Sequence, residues 1–244
     1  MSLNYLSTNS IPLHQRLIMA LDVSTSAQAK HLVEALDDSV SFYKIGMELF
    51  MAGDYFELIE WLKLKNKQIF VDLKFFDVPI TVARAIRSLN QRGVDFATIH
   101  GNQSMMEAAA QEKGNLKILA VTALTSLDQG DLDDLGFQCS IAELVLSRAR
   151  RALQSGCDGV ISSGLEISAL RKHLDHRLLV ISPGIRPVEN RIEDDQKRVV
   201  TVRNAFLNGA DYIVVGRPIR DSSNPREAAI TIQQQISDTF SSRN

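Results

Sequence analysis

The chain has 244 residues, of which 45% are hydrophobic and 23% charged, and its formal net charge is −2. That balance excludes a broadly basic nucleic-acid surface, and no apolar run approaches the ~18–20 residues that span a bilayer. The length suits one α/β barrel as well as two average domains.

Residues 1–14 read as an N-terminal extension, with no basic stretch leading into an apolar core, so no signal peptide is expected. A first strand near 17–22 (LIMALD) leads into a helix near 25–37, and a second near 41–46 (SFYKIG) into a helix near 52–65. The third strand, near 68–74 (QIFVDLK), precedes a helix near 79–92 that Pro79 can start at its first turn. The fourth, near 96–100 (FATIH), precedes a helix near 104–113. The fifth, near 117–123 (KILAVTA), is followed by a long loop near 125–139 and a helix near 140–155. The sixth, near 159–162, pairs with a helix near 166–173. The seventh, near 178–182 (LLVIS), is followed by a long loop near 184–200 and a helix near 201–208. The eighth, near 212–216 (YIVVG), leads to a last helix near 225–238. The strands are rich in Val, Ile and Phe, and Gly93, Gly156 and Gly209 sit where helices should stop.

Eight such units predict a single-domain closed (β/α)8 TIM barrel over residues 1–244. A doubly wound open sheet would usually carry a Gly-rich turn after its first strand, and "LDVSTSAQ" has none. Long loops at strand ends of compact domains often close over ligands. No tandem repeat beyond the βα alternation is evident.

Side chains alternate along a strand. Asp72 and Lys74 therefore share a face with Phe70, while Val71, Leu73 and Phe75 take the other. Lys44 falls with Phe42 and Gly46, and Asp22 with Ile18 and Ala20. Three neighbouring strands thus end in inward charges of alternating sign, at the end where barrel enzymes place their chemistry. A structural salt-bridge network is the bland reading. Four charges on three strands favour a functional site, because buried ion networks seldom improve on apolar packing. Asp77 has the wrong parity and lies beyond the strand, so it either curls back or serves a different cavity.

A second constellation closes the chain. "SPGIRP" ends the seventh strand and "VVGRPI" the eighth, the loops that bind phosphate in many barrels. Gly216 permits close backbone approach, and Arg186 and Arg217 offer forked donors. "LTS" (124–126) offers hydroxyls near the mouth that could orient a polar ring or merely cap a loop. His100 reads as a hydrogen-bonded structural residue, and His14, His31, His173 and His176 as surface positions. Cys139 and Cys157 form no CxxC pair and have no His at a ligand spacing, so they read as free thiols with no metal site. Free thiols fit a reducing cytoplasm.

In order along the chain, "ALDV", "YKIGMELF", "DLKFFDVPIT", "VTALTS", "SPGIRP" and "VVGRPI" resemble the orotidine 5′-phosphate decarboxylase family over nearly the whole length. The D-x-K-x-x-D spacing is shared with relatives of other activity; the joint match is far more specific. The resemblance implies decarboxylation of orotidine 5′-monophosphate to UMP and CO2 in pyrimidine biosynthesis, in a cytoplasmic homodimer that uses no cofactor. It implies Lys74 as catalytic lysine and proton donor, with Asp72 and Lys44 in the same array. Asp77, with Thr81, would enter the neighbouring subunit's site. Asp22 and Lys44 would bind ribose hydroxyls, and Thr125 and Ser126 the pyrimidine. Arg186, Gln196, Gly216 and Arg217 would hold the phosphate, although the Arg186-to-Gln196 loop runs slightly longer than the family form. Two rival readings are a Mg2+-dependent sugar-phosphate enzyme on the same barrel, with Glu48 as a candidate ligand, and a non-catalytic nucleotide-binding barrel.

Overall fold

The computed structural model describes residues 5–186 and 199–241. Among them, eight strands close in sequence order into one parallel barrel. They are β1 (Leu17–Ala20), β2 (Phe42–Gly46), β3 (Gln68–Phe75), β4 (Phe96–His100), β5 (Lys117–Val121), β6 (Gly159–Ile161), β7 (Leu179–Ser182) and β8 (Tyr212–Val215). The helices between them are α1 (Ser26–Leu36), α2 (Met47–Phe50), α3 (Tyr55–Leu64), α4 (Pro79–Gln91), α5 (Gln103–Glu112), α6 (Gln129–Asp134), α7 (Ile141–Gln154), α8 (Ile167–His173), α9 (Val202–Leu207), α10 (Arg217–Arg220) and α11 (Pro225–Ser241).

The alternation of side chains divides the core in two. Leu17, Met19, Tyr43, Ile45 and Val71 face the helices, while Ile18, Ala20, Phe42, Phe70 and Phe96 face inward. Phe42, Phe96 and Tyr212 meet edge to face with centroids 4.9 to 6.0 Å apart. They fill the barrel interior below the site, and the charged cavity opens above them, at the C-terminal ends of the strands. Helix α4 shows how the outer layer forms. Pro79 sits in its first turn, and Val82, Ile86 and Leu89 recur at helical spacing and are buried. Each such side chain contributes roughly 1.5–3 kcal/mol of burial, so Ile86→Asp would break this face.

A motif recurs at alternate strand entrances. Gly93-Val94-Asp95, Gly156-Cys157-Asp158 and Gly209-Ala210-Asp211 precede β4, β6 and β8. Each glycine turns the chain at positive φ, +67°, +83° and +108°, where a β-carbon is disfavoured. Each aspartate then takes a backbone N–H from the start of the preceding strand: Ile69 at 2.8 Å, Ile118 at 2.9 Å and Val180 at 2.8 Å. The sequence reading found no repeat beyond the βα alternation, because three short motifs set far apart leave no tandem signal. At the third copy the carboxylate also meets Arg171 at 2.6 Å and the side chains of Ser7 and Asn9, which ties the N-terminal segment to the barrel base.

Several boundaries differ from expectation. Strand β1 ends at Ala20, so Asp22 lies just past it. The loop expected near 125–139 contains α6, because Asp128 and Asp131 form a reciprocal cap and Leu132 is buried beneath them. Helix α10 follows β8 directly; four residues are too few to leave a periodic signal. Helix α11 extends to Ser241 rather than stopping near 238. The stems of the loop near 184–200 are joined: Arg186 N–H donates to Val200 O at 2.9 Å, and Val200 N–H to Gly184 O at 3.2 Å.

Candidate active site

The mouth of the barrel holds a cavity of about 570 Å³. Asp22, Lys44, Asp72 and Lys74 line one wall, and Gly184, Arg186, Gly216 and Arg217 another. Thr125, Ala123, Ile161 and Val214 supply less polar surface between them.

The four charges form a chain of alternating sign. Lys44 Nζ lies 2.8 Å from Asp22 Oδ1 and 3.6 Å from Asp72 Oδ2, and Lys74 Nζ lies 3.0 Å from Asp72 Oδ1. Their exposures separate their roles. The side chains of Lys44 and Asp72 are 11% and 14% exposed, whereas that of Lys74 is 38% exposed. Lys44 and Asp72 form the buried inner pair, and Asp22, 47% exposed, and Lys74 are the two open ends of the array. Burial alone would raise the Asp72 pKa, but Lys44 and then Lys74 outweigh it and hold it below the usual aspartate value. Burial likewise works to depress Lys44; Asp72 and Asp22 prevail, and its pKa lies above the usual lysine value. Asp72 and Lys44 therefore both keep their charges at neutral pH.

Lys74 has φ +49°, uncommon for a residue with a β-carbon. Its position explains this. Strand β3 pairs with β4 as Val71↔Ala97 and then Phe75↔Ile99. Asp72, Leu73 and Lys74 therefore lie opposite Thr98 alone, and the strand bulges. Thr98, fully buried, sits at the centre of the bulge. Sequence reasoning passed over it, although parity alone places it on the inward face between Phe96 and His100.

Arg220 was also missed. It lines the cavity beside Arg217 and donates to the backbone carbonyl of Asp22 at 2.6 Å. The signal was available, since it lies one helical turn after Arg217. Gly216 faces the cavity, and a β-carbon there would sit 3.7 Å from Asp22 Oδ2. Arg186 donates to the carbonyl of Ile185 at 2.9 Å. Ser126 is exposed and not among the residues lining the cavity. Gln196 lies outside the described residues. Glu48 lines the rim and accepts from Ser24 at 2.9 Å. Among the described residues no three His, Cys, Asp or Glu side chains are grouped to hold a metal ion.

Asp77 and Thr81 do not join this cavity. They line a separate, mostly apolar hollow of about 660 Å³ with Met47, Met51 and Phe76, and Lys74 borders both spaces. Asp77 is exposed, and its carboxylate accepts the Val78 N–H at 2.6 Å. Around it Met51, Phe76, Val78 and Ile80 are each more than half exposed. His100 packs against Phe76 with ring centres 4.5 Å apart. Burial and then Arg148 push its pKa below the usual histidine value, with Asn102 opposing. His14, His31, His173 and His176 are exposed, as expected.

Comparison with known proteins gives a consistent picture. A family model described as orotidine 5′-phosphate decarboxylase / HUMPS family matches residues 15–232. An orotidine 5′-phosphate decarboxylase of Methylococcus capsulatus is 69% identical over 237 residues, covering 97% of this chain and 98% of the relative. One from Stenotrophomonas maltophilia is 48% identical, covering 94% and 95%. Among solved structures, the orotidine 5′-phosphate decarboxylase of Lactobacillus acidophilus superposes with a TM-score of 0.81 at 34% identity, covering 91% of this chain and 99% of its own.

Proposed function

The chain belongs to the orotidine 5′-phosphate decarboxylase / HUMPS family, and we propose that it is the carboxy-lyase that converts orotidine 5′-monophosphate to UMP and CO2 in pyrimidine biosynthesis. The observation that carries this reading is the alternating array Asp22–Lys44–Asp72–Lys74, with its half-exposed Lys74 ammonium lining a cavity that Arg186 and Arg217 also line.

The chemistry follows from charge. The bond from ring carbon C6 to the carboxylate breaks, CO2 departs, and the electron pair stays on C6. Lys74 Nζ–H faces that developing charge, stabilises it, and then donates its proton to form the new C–H bond, leaving a neutral amine. A fixed charge aimed at developing charge is usually the largest catalytic contribution. Asp72 holds the ammonium in place and Lys44 keeps Asp72 ionised. The side chains carry the reaction with no metal or organic cofactor.

The remaining contacts position the nucleotide. Asp22 and Lys44 bind the ribose hydroxyls, and Thr125 meets the pyrimidine; Ser126, exposed and outside the cavity lining, is given no contact. Arg186, Arg217, the Gly216 backbone and Gln196 hold the phosphate. Phosphate binding lies far from C6 and acts by orienting the ring, which is how remote binding energy serves catalysis.

Asp77 and Thr81 serve a second copy of the chain. The exposed Met51, Phe76, Val78 and Ile80 surround them, and an apolar surface of this kind is buried in an interface. In a two-fold dimer each pair enters the partner's site, where Asp77 adds a second acid beside the catalytic lysine. The dimer works in the cytoplasm.

The test is spectrophotometric: purified protein with orotidine 5′-monophosphate, with and without a chelator, followed by loss of the orotate absorbance. Chelator-insensitive turnover to UMP supports the proposal. No turnover would overturn it, and turnover abolished by chelation would favour a metal-dependent relative.

A further inference from the structure

We propose that Thr98 is a positioning residue for Lys74, fixing both the backbone and the ammonium of that lysine through a single hydroxyl. The inference rests on the decarboxylase reading above and concerns a residue that reading does not use.

The bulge in β3 creates the need. Three residues face one across the β3–β4 seam, so the ladder leaves the Lys74 N–H without a backbone partner. A buried amide without a partner is costly. The Thr98 hydroxyl oxygen takes it, at 2.9 Å. A hydroxyl has one proton to give, and Thr98 gives it to Asp72 Oδ1, also at 2.9 Å. That same Oδ1 lies 3.0 Å from Lys74 Nζ. The contacts close a ring: Lys74 N–H to Thr98 Oγ1, Thr98 O–H to Asp72 Oδ1, and Asp72 Oδ1 to the Lys74 ammonium.

The closure has two physical consequences. A left-handed φ of +49° persists only where its surroundings hold it, and the hydroxyl is the polar group that does so here. Lys74 also has a long, flexible stem. With the amide pinned at one end and the ammonium at the other, its freedom is removed before substrate arrives, which preorganises the charge that catalysis uses. The Thr98 hydrogen bond also helps keep Asp72 ionised. Packing alone would not require the oxygen, since valine has the same shape and the same preference for strands.

Thr98→Val and Thr98→Ser separate the hydroxyl from the packing. For Thr98→Val we expect kcat to fall by about 10-fold or more, with KM close to that of the parent and a lowered Tm, because the Lys74 amide loses its partner. Thr98→Ser, which keeps the oxygen, should recover most of kcat. Unchanged kcat in Thr98→Val, or equal loss in both variants together with lowered Tm, would overturn the proposal. Amide hydrogen exchange on the unsubstituted protein gives a second reading that needs no variant. The Lys74 amide should be protected, and exchange at the rate of an open loop would show that the hydroxyl does not hold it. Absence of turnover in the unsubstituted protein would fell the decarboxylase reading, and Lys74 protection would still report the hydrogen bond.

Discussion

Asp72 Oδ1 lies 3.0 Å from Lys74 Nζ, and this contact joins the buried Lys44–Asp72 pair to the half-exposed Lys74 ammonium. Removing the lysine leaves Asp72 still paired with Lys44. Lys74→Ala should therefore fold and keep a Tm within a few degrees of the parent, while turnover falls by at least about 10³-fold. Circular dichroism melting and the absorbance assay together check this, and residual activity near the parent level would remove Lys74 from the mechanism.

Arg217 and Gly216 open the short helix after the last strand and line the same cavity as the charged array. With the phosphate held there by charge-assisted bonds, Arg217→Ala should lower kcat/KM on the order of 10²-fold. Steady-state kinetics decide it, and unchanged kinetics would count against the phosphate assignment.

A shared site makes a distinctive demand. Asp77→Ala and Lys74→Ala homodimers should each be nearly inactive. Mixed dimers contain one site with both defects and one with neither, so co-expressed, doubly tagged heterodimers should regain up to about half the parent activity per dimer. Verified heterodimers without recovery would sink the two-chain arrangement.

The array has a calculable pH window. The folded-state pKa of Asp72 is depressed, so its contribution to stability is present above the ordinary aspartate value of ~3.9 and is lost as pH falls through the folded value. Lys44 is raised, so its contribution is present below the ordinary lysine value of ~10.4 and is lost as pH rises through the folded value. The stability gap between the parent and Asp72→Asn should be flat near neutrality and narrow below about pH 4. Denaturant titrations at pH 3 and pH 7 measure it; a gap of equal size at both would contradict the assignment.

The two thiols should behave differently. Burial, aided by Asp158 and opposed by Lys113, pushes the Cys157 thiol up to about 12, while Cys139 is partly exposed. A thiolate-selective reagent at pH 8 should label Cys139 in the native protein and reach Cys157 only after unfolding. Fast native labelling of both would show that the region around Cys157 opens.

Much of this was legible without coordinates. Strand alternation placed Asp22, Lys44, Asp72 and Lys74 on one inward face, because parity is a local property of an extended chain and the closed barrel preserves it. The same rule excluded Asp77 from that face. Gly and Pro around Arg186 and Arg217 marked the second wall, because backbone geometry in turns is written in residue type.

Tertiary structure decided the rest. The pairing of β3 with β4 skips residues at the bulge, and no residue in "FVDLKFF" announces that a threonine in the next strand will hold the Lys74 amide. The order of contacts within the array and the open position of Lys74 likewise depend on which strands become neighbours. Parity and turn chemistry are set within a few residues and can be read from the chain. Partners that lie far apart in sequence, such as Lys74 with Thr98 or Asp22 with Arg220, exist only once the barrel has closed.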